Sequence, residues 1–536
     1  MALVITGANV LTMDRQNRCA EAIAVKDGKI VAVGSSNEIS KRIGHNTQIQ
    51  HLHGRTLVPG FVDPHNHFHM TTFQPVSIEC STPPHDTIQS VLETIITATG
   101  DVEPGRWITG WGFRTENVKE HRGLLRDELD EIAPDNPLCI MDASVHAAYA
   151  NSMALQLADI GRETPDPSHG RIRRNSQGEA DGTLWEAAMD PVYALSLRAL
   201  IDYYGDNVTD LVKDNCMRHV AKGITSIGDA LVVPEAMELY RRTEALGKLP
   251  ITIHQMIGGD TFFAPPHKPV KGDTDDGNVS DRLRGGTVKM FMDPVFPSAA
   301  LIKYHNDGTE ERVGERYYTQ KEANDIVISA HERGMQVAIH CLGTWSIEQA
   351  LNSFEAALKK RPVDEPRFRI EHYWFPNLAQ IRRTRDLGVI ASVQPPFIHT
   401  FGSHSHKVAS NMGGDVRVFP LKTMLSEGVK VSASSDSPCS EFDPMLGLHA
   451  MVTRRTRPDG YRVVPEEAVT PLEGLRMYTI DAAYAMSREN EVGSIEVGKR
   501  ADLAVLNCDP TSVDVEHIKN IEVDQTYVDG ELLYRR

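Results

Sequence analysis

The sequence has no hydrophobic run long enough to cross a bilayer. A membrane span takes about 18 consecutive apolar residues, and no stretch of the 536 residues approaches that length. The first residues, Met1–Gly7, lack the basic start and the long apolar core of a signal peptide. We therefore expect a cytoplasmic protein that does not contact membranes.

Cysteine and positive charge are also scarce. Seven scattered cysteines form no Cys-x-x-Cys pair, and an odd, dispersed set favours reduced thiols in a cytoplasm. Lys and Arg number 56 against 73 Asp and Glu, which gives a formal net charge of -17 and argues against a nucleic-acid partner. The composition, 40% hydrophobic and 24% charged, is that of a globular protein.

Helices and strands alternate through the middle of the chain. From about residue 208 on, helix-like segments end in glycine and lead into apolar strands. With the strand that follows Pro59-Gly60 and two further apolar strands, at 287–292 and 368–372, there are eight, centred near residues 62, 226, 253, 290, 338, 370, 391 and 432. This alternation predicts an α/β fold, a distorted (β/α)8 TIM-like barrel, whose chemistry would lie at the C-terminal ends of the strands.

The two ends of the chain differ from the middle. Residues 1–56 and 484–536 read as short strands with Asp-Gly turns, and each part is too small to bury a core alone. We therefore expect both ends to join in one small β-sandwich beside a barrel over residues 57–483. Residues 70–207 are too long for a simple helical connection, so we predict an insertion that shapes the substrate pocket.

Metal-binding residue types fall at the predicted C-terminal ends of the strands. His65 and His67 share one face because alternate side chains of a strand point the same way. The complete set is His65, His67, Lys289, His340, His372 and Asp436. Imidazole and carboxylate suit zinc or a similar metal. A protonated lysine cannot bind a cation, so Lys289 has another role or is carboxylated by carbon dioxide to a carbamate.

Several motifs with these residues point to a known family. They are Pro59-Gly60-Phe61-Val62-Asp63-x-His65-x-His67, Val288-Lys289-Met290-Phe291, Ile339-His340, Ile370-Glu371-His372 and Ser435-Asp436-Ser437-Pro438. Over nearly its whole length the chain resembles the amidohydrolase superfamily, in the branch that contains N-substituted formamide deformylase (amidohydrolase family 3).

The resemblance implies that these residues hold two metal ions. His65, His67 and Asp436 would hold one divalent metal, and His340 and His372 a second. Carboxylated Lys289 would bridge the two ions, and Asp436 would also act as the catalytic proton shuttle. Two zinc ions are expected, with manganese or iron as alternatives. A mononuclear site is the competing interpretation.

The reaction implied by the resemblance is hydrolysis of the C–N amide bond of a small N-acyl or N-formyl compound by a metal-activated hydroxide. Ester or lactone hydrolysis, cyclic-amide opening and decarboxylation with the same site stay open. Deaminases of the superfamily carry Glu three positions after the histidine of the fifth strand. Gly343 stands there, which argues against deamination. A non-enzymatic scaffold is disfavoured because all six metal positions are filled.

The predicted substrate contacts are aromatic and come from the insertion and the sixth strand: His146, Trp111 and Tyr373. Packing is the alternative for Trp111 and Tyr373, and hydrogen bonding within the fold for His146. The partner is expected to be a small-molecule substrate, and the protein a homo-oligomer, most simply a dimer.

Other polar residues near these strands receive no catalytic assignment. Glu371 should point to the opposite face from His372. His254 is expected in the core, and His399, His404 and His406 in a solvated histidine-rich loop. The role of His69 and the effect of Asn66, between the two histidines of the first strand, stay open.

Overall fold

Short strands occupy the start of the chain in the computed structural model, which describes residues 2–45, 47–100, 102–266, 279–295 and 298–536. These strands and one short helix are β1 (Ala2–Thr6), β2 (Asn9–Leu11), β3 (Cys19–Ala20), β4 (Ala22–Lys26), β5 (Lys29–Gly34), α1 (Ser36–Ser40), β6 (Thr47–His51) and β7 (Thr56–Pro59). Four of them form a sheet in the order β5-β4-β1-β6. The hairpin of β4 and β5 turns at Asp27-Gly28, as the sequence predicts.

The segment after the first barrel strand, β8 (Phe61–Asn66), has a sheet of its own. Its elements are α2 (Phe68–Phe73), β9 (Ile78–Glu79), α3 (Ile88–Thr99), β10 (Ile108–Phe113), α4 (Arg126–Ile132), β11 (Leu138–Asp142), β12 (Ala147–Ala150), α5 (Ser152–Leu157), β13 (Gly170–Arg174), β14 (Ala180–Glu186), α6 (Asp190–Tyr204) and α7 (Val208–Val220). The strands pair in the order β13-β14-β12-β11-β10-β9. A separate apolar cluster packs α3 and α4 on this sheet.

The barrel consists of eight parallel strands. After β8 the elements are β15 (Ile224–Val232), α8 (Pro234–Ala245), β16 (Thr252–Ile257), β17 (Leu283–Phe291), β18 (Leu301–Tyr304), β19 (Glu310–Val313), α9 (Gln320–Glu332), β20 (Gln336–Cys341), α10 (Thr344–Lys360), β21 (Arg369–His372), α11 (Leu378–Asp386), β22 (Ile390–Val393), α12 (Pro396–Met412), α13 (Leu421–Glu427), β23 (Lys430–Ala433), α14 (Pro444–Thr453), α15 (Pro471–Met477) and α16 (Ile480–Ala485). The order β8-β15-β16-β17-β20-β21-β22-β23 includes all eight predicted strands. The predicted parallel barrel is confirmed.

The barrel closes between β23 and β8 through individual hydrogen bonds rather than a regular ladder. The Asp436 N–H donates to the His65 carbonyl oxygen at 2.8 Å, and the His67 N–H donates to the Ser437 carbonyl oxygen at 2.7 Å. This closure fixes the backbone of Asp436 beside that of the two histidines.

The last strands of the chain, β24 (Leu503–Leu506), β25 (Val523–Val528) and β26 (Glu531–Arg535), pair with strands of the first 60 residues. The six-stranded sheet has the order β26-β25-β24-β7-β2-β3. Its side chains share a buried cluster with the four-stranded N-terminal sheet. Gly60 joins β7 to β8, and a Cβ there would lie 2.4 Å from Thr225 Oγ1, so this close crossing requires glycine. The sandwich geometry and the domain boundaries stay predictions.

Helix α12 corrects one prediction. It contains His399, His404 and His406, which were expected in a solvated loop. Pro396 lies in its first turn, where proline is tolerated. His399 is buried, and its Nε2 lies 3.2 Å from His449 Nδ1. Across the described parts of the chain, no helix has both the length and the apolar character that crossing a membrane requires.

Candidate metal and catalytic site

The end of β8 and the residues after β23 bring three potential metal ligands together. Oδ1 of Asp436 lies 3.2 Å from His65 Nε2 and 3.1 Å from His67 Nε2. All three side chains are buried, and one ligand atom from each lies within 4.8 Å of the others. The three residues that the sequence predicts as ligands of one metal therefore lie together in the structure.

Polar atoms of this group lack a hydrogen-bond partner among the described residues and are available to a cation. His65 Nε2 and Asp436 Oδ1 are buried without a hydrogen-bond partner among the protein atoms, and leaving such atoms unpaired is costly. The other ring nitrogen of His65, Nδ1, lies 2.5 Å from Glu371 Oε2, so Nε2 is the nitrogen free to bind a metal. Two imidazoles and a carboxylate fit zinc or another first-row metal.

The electrostatics of the group favour an ionised aspartate. Burial opposes the charge of Asp436, but His65 and His67 outweigh burial and hold its pKa well below the usual value. Burial also lowers the pKa of His67, to about 4, which keeps this imidazole neutral and able to bind a metal near pH 7.

Glu371 belongs to the site, and the prediction that it faces away is wrong. Its carboxylate contacts His65 Nδ1 and accepts from Arg369 Nε at 2.7 Å, with both side chains fully buried. Burial opposes its charge, but Arg369 and His65 hold the pKa of Glu371 far below its usual value. The strand alternation fails because His372 has φ +72°, so the consecutive residues Glu371 and His372 both reach the site.

His340 and His372 form the second pair of imidazoles. Their ring centroids lie 4.5 Å apart, and the His372 ring lies 5.0 Å from that of His65. His372 Nδ1 donates to Gln394 Oε1 at 2.7 Å, and His340 Nδ1 lies 3.2 Å from Asp293 Oδ1. For His372 the partner at Nδ1 leaves Nε2 for another role, whereas Nδ1 of His340 is buried without a hydrogen-bond partner among the described residues.

Lys289 lies on β17 and is only 1% exposed. Its Nζ lies 4.3 Å from the centroid of the Phe291 ring. Burial lowers the pKa of Lys289 to about 8, although the negative charges of Glu371 and Asp436 act in the opposite direction. The structure therefore places this lysine in the same electrostatic environment as the buried ligand group.

The insertion contributes His146 to the site. Its ring lies 5.6 Å from that of His340 and meets the Phe291 ring edge-on at 5.7 Å. Nδ1 of His146 lies 2.7 Å from Glu186 Oε2. This placement agrees with a residue that borders the substrate.

Two aromatic residues beside the site were not identified from the sequence. The Phe262 ring lies 5.4 Å from the His67 ring, and the Phe263 ring lies 5.2 Å from the His146 ring. Asp190, at the start of α6, accepts from the Phe263 N–H at 3.0 Å and thereby fixes this segment. The pair of adjacent aromatic residues shortly after the third strand was the available signal.

Of the two other predicted substrate contacts, one lies near the site and one does not. Trp111 lines an apolar cavity that also borders Pro438, two residues after Asp436. Tyr373 is fully buried, and its hydroxyl lies 2.7 Å from Thr384 Oγ1 on α11. We therefore withdraw Tyr373 as a substrate contact, because its side chain packs between strand and helix.

Asn66 and His69, whose roles were left open, have structural partners, and so does His254. Asn66 Nδ2 donates to Asp63 Oδ2 at 3.0 Å and so lies on the barrel seam. His69 Nδ1 lies 3.1 Å from Asp229 Oδ1. His254 is buried with Nε2 2.8 Å from Thr287 Oγ1, as expected of a core histidine.

A parallel eight-stranded barrel with buried histidine and aspartate ligands at its strand ends defines a metal-dependent hydrolase class. Residues 48–534 match the Amidohydrolase family. The chain is 38% identical over 537 residues to N-substituted formamide deformylase of Arthrobacter pascens. The alignment covers 100% of this chain and 98% of the relative. The chain belongs to the amidohydrolase family, in the branch that contains this enzyme, and the family implies a divalent metal site.

Solved structures agree on the fold. An uncharacterized metal-dependent hydrolase from Pyrococcus horikoshii has a TM-score of 0.75 at 22% identity, covering 96% of this chain and 99% of the other. A second such hydrolase, from Pyrococcus furiosus, has a TM-score of 0.71 at 22% identity and covers 96% and 100%. At this level of identity both comparisons support the architecture alone.

Proposed function

We propose that this protein hydrolyses the C–N amide bond of a small N-formyl or N-acyl compound in a metal-dependent reaction. The observation that carries the proposal is the full-length similarity to an N-substituted formamide deformylase. The buried group of His65, His67 and Asp436 supplies the ligands that such a reaction requires. Gly343, in place of the glutamate of deaminases, keeps deamination disfavoured.

Residues of the chain would each have a separate role in this reaction. A bound divalent metal polarises a carbonyl and lowers the pKa of water. Asp436 turns Oδ1 toward the two histidines, which leaves Oδ2 to take the proton of the attacking water and deliver it to the leaving nitrogen. His146 borders the site from the insertion, and Phe262 and Phe263 limit access of bulk water.

We infer two zinc ions, with manganese or iron as alternatives, bridged by carboxylated Lys289. Support comes from the second imidazole pair: Gln394 holds Nδ1 of His372 and leaves its Nε2 for ligation, and Nδ1 of His340 is buried without a hydrogen-bond partner among the described residues. Burial, which lowers the pKa of Lys289 to about 8, favours the neutral amine that reacts with carbon dioxide. Elemental analysis should find two metal equivalents in fully active enzyme, and one equivalent would contradict the bridged pair.

The substitution Asp436→Asn tests the catalytic assignment. The variant should retain metal, because an amide oxygen can replace a carboxylate oxygen, but it should lose about 10²–10⁴-fold in kcat because it cannot carry the proton. Metal content and turnover are measured on N-formyl amines, N-acyl amines, esters and lactones. Hydrolysis of esters or lactones alone would replace the amide assignment, and unchanged turnover would remove Asp436 as the shuttle.

Three further expectations accompany this function. We infer a β-sandwich from the two end sheets, supported by their shared buried cluster. A cytoplasmic location is supported by seven free cysteines. A homodimer stays our proposal for the assembly, and light scattering on the purified protein gives the mass that decides it.

A further inference from the structure

An apolar cavity lies between α2, α6 and the sheet of the insertion. Apolar side chains dominate its wall: Met70, Phe73, Trp111, Met141, Leu197 and Leu200. Val145, which precedes His146, and Pro438, which follows Asp436 by two residues, also line it. The cavity therefore lies next to residues that flank His146 and Asp436 in the sequence, and its apolar wall suits an apolar part of a substrate.

Two hydrogen-bond donors line this cavity without a protein acceptor. Tyr193, only 8% exposed, has its hydroxyl buried and unpaired, and Gln74 has its amide nitrogen buried and unpaired. Buried polar groups in folded proteins almost always have a partner. Two unpaired donors in one apolar cavity are therefore available to an acceptor that a ligand supplies.

The hydroxyl groups of Ser77, Thr109 and Ser196 in the cavity wall already have partners. The Ser77 and Thr109 hydroxyls lie 2.9 Å apart, and Ser77 Oγ donates to the Phe73 carbonyl oxygen at 2.9 Å. Ser196 Oγ donates to the Tyr193 carbonyl oxygen at 2.8 Å. Among the hydroxyl and side-chain amide groups of this wall, those of Tyr193 and Gln74 are therefore the ones left without a partner.

Aromatic contacts connect Tyr193 to the metal-ligand group. The Tyr193 ring lies 6.3 Å from the Phe262 ring, which in turn lies 5.4 Å from the ring of His67. A substrate with its amide at the metal site would thus extend past Phe262 toward Tyr193. In a formamide the acyl side is a single carbon, so the remaining bulk is the substituent on nitrogen.

We propose that the substrate is an amide whose N-substituent is apolar and ends in a hydrogen-bond acceptor, which Tyr193 and Gln74 bind in this cavity. The proposal rests on the amide hydrolysis proposed above and specifies its substrate class. Binding an acceptor would satisfy both donors, whereas an entirely apolar substituent would leave them unpaired. A site built to hydrogen-bond a substrate group discriminates strongly against an analogue that lacks it.

The test compares N-(4-methoxybenzyl)formamide with N-(4-ethylbenzyl)formamide, which have the same number of heavy atoms and exchange one oxygen for a CH₂. The metal-loaded wild type should prefer the methoxy compound by about tenfold in kcat/KM. Tyr193→Phe and Gln74→Met should each reduce this ratio to about threefold or less, mainly by slowing the methoxy compound. Tyr373→Phe, a tyrosine outside the cavity, is the matched control and should leave the ratio unchanged.

Equal kcat/KM for the two compounds in the wild type, or a preference that survives both cavity variants, would overturn the proposal. If neither compound is hydrolysed, the proposed amide hydrolysis fails, and calorimetric binding of both compounds to the metal-loaded proteins decides the cavity separately. Tighter binding of the methoxy compound that Tyr193→Phe abolishes would support the assignment of the cavity. Equal binding, or no binding of either compound, would overturn it.

Discussion

At the scale of single residues, the orientation of each imidazole depends on a different buried partner. Glu371 holds Nδ1 of His65, and Gln394 holds Nδ1 of His372. Such partners fix the ring and the tautomer of a metal ligand. Of these two partners, Glu371 is the charged one, and it also contacts a fully buried arginine, Arg369. Replacing Glu371 therefore affects both His65 and Arg369.

The substitution Glu371→Gln should weaken metal binding about 10–100-fold. The amide is a poorer acceptor for His65 and leaves the buried charge of Arg369 without its counter-ion, which is destabilising. Metal affinity is measured by competition with a chelator on protein whose circular dichroism shows a folded state. Glu365→Gln, which removes a surface partner of Arg367, is the control. Unchanged affinity in Glu371→Gln would show that Glu371 does not support the ligand.

The same residues show what the sequence could reveal. His65, His67 and Asp436 were identified because a strand end is the place where a barrel presents its chemistry. Glu371 was missed because strand alternation was extended through His372, which has a φ value of +72°. A positive φ in a non-glycine residue depends on tertiary contacts that a local pattern does not contain.

At the scale of elements, the first residue of α6 links the insertion to the aromatic segment beside the site. Asp190 accepts hydrogen bonds from Thr261 Oγ1 at 2.6 Å and from the Phe263 N–H at 3.0 Å. Its second oxygen, Oδ1, is buried without a protein partner. Burial, with a smaller effect of Glu186, raises the pKa of Asp190 from 3.8 to about 7.

This shift predicts a pH dependence of stability. Between about pH 4 and pH 7 the folded state retains a proton that the unfolded state releases, so the contribution of Asp190 to stability falls as pH rises through this window. Asp190→Asn keeps an acceptor oxygen but does not ionise. We expect the free energy of unfolding of the variant, relative to wild type, to increase by about 1–3 kcal/mol from pH 5 to pH 8.

Denaturant unfolding of both proteins at a series of pH values provides the measurement. Asp86→Asn, which affects an exposed carboxylate paired with Lys119, controls for the loss of an aspartate in general. A difference between Asp190→Asn and wild type that stays constant across the series would show that Asp190 does not titrate as proposed.

Helices and strands were predicted correctly where the apolar pattern of a segment and its length indicated the same element. Five of the eight barrel strands were identified because a glycine-terminated helix precedes each of them. The six strands of the insertion were not predicted individually, since one of them, Ile78–Glu79, is very short and the strands pair in mixed directions. Helix α12 was mistaken for a loop because polar histidines outweighed the helical signal after Pro396.

At the scale of the whole molecule, both ends of the chain close one sheet next to the barrel. β24 pairs antiparallel with β7 from Leu503↔Pro59 to Leu506↔Thr56. β7 is followed, after Gly60, by the strand that carries His65 and His67. The C-terminal strands therefore support the segment from which the metal-ligand strand begins, although they contribute no ligand.

Deletion of residues 499–536 should prevent stable folding of the barrel as well as of the end sheet. It removes β24 and leaves the backbone of the buried strand β7 unpaired on one side, and it exposes apolar neighbours of Leu503 and Val505 in the shared cluster. Deletion of residues 531–536 removes only the edge strand β26 and is the matched control, which should stay soluble with a modest loss of stability. Soluble yield, cooperative thermal unfolding and metal content distinguish the two. A folded, metal-binding protein that ends at residue 498 would show that the barrel is independent of the end sheet, because β8 would then keep its ligands in place without β24.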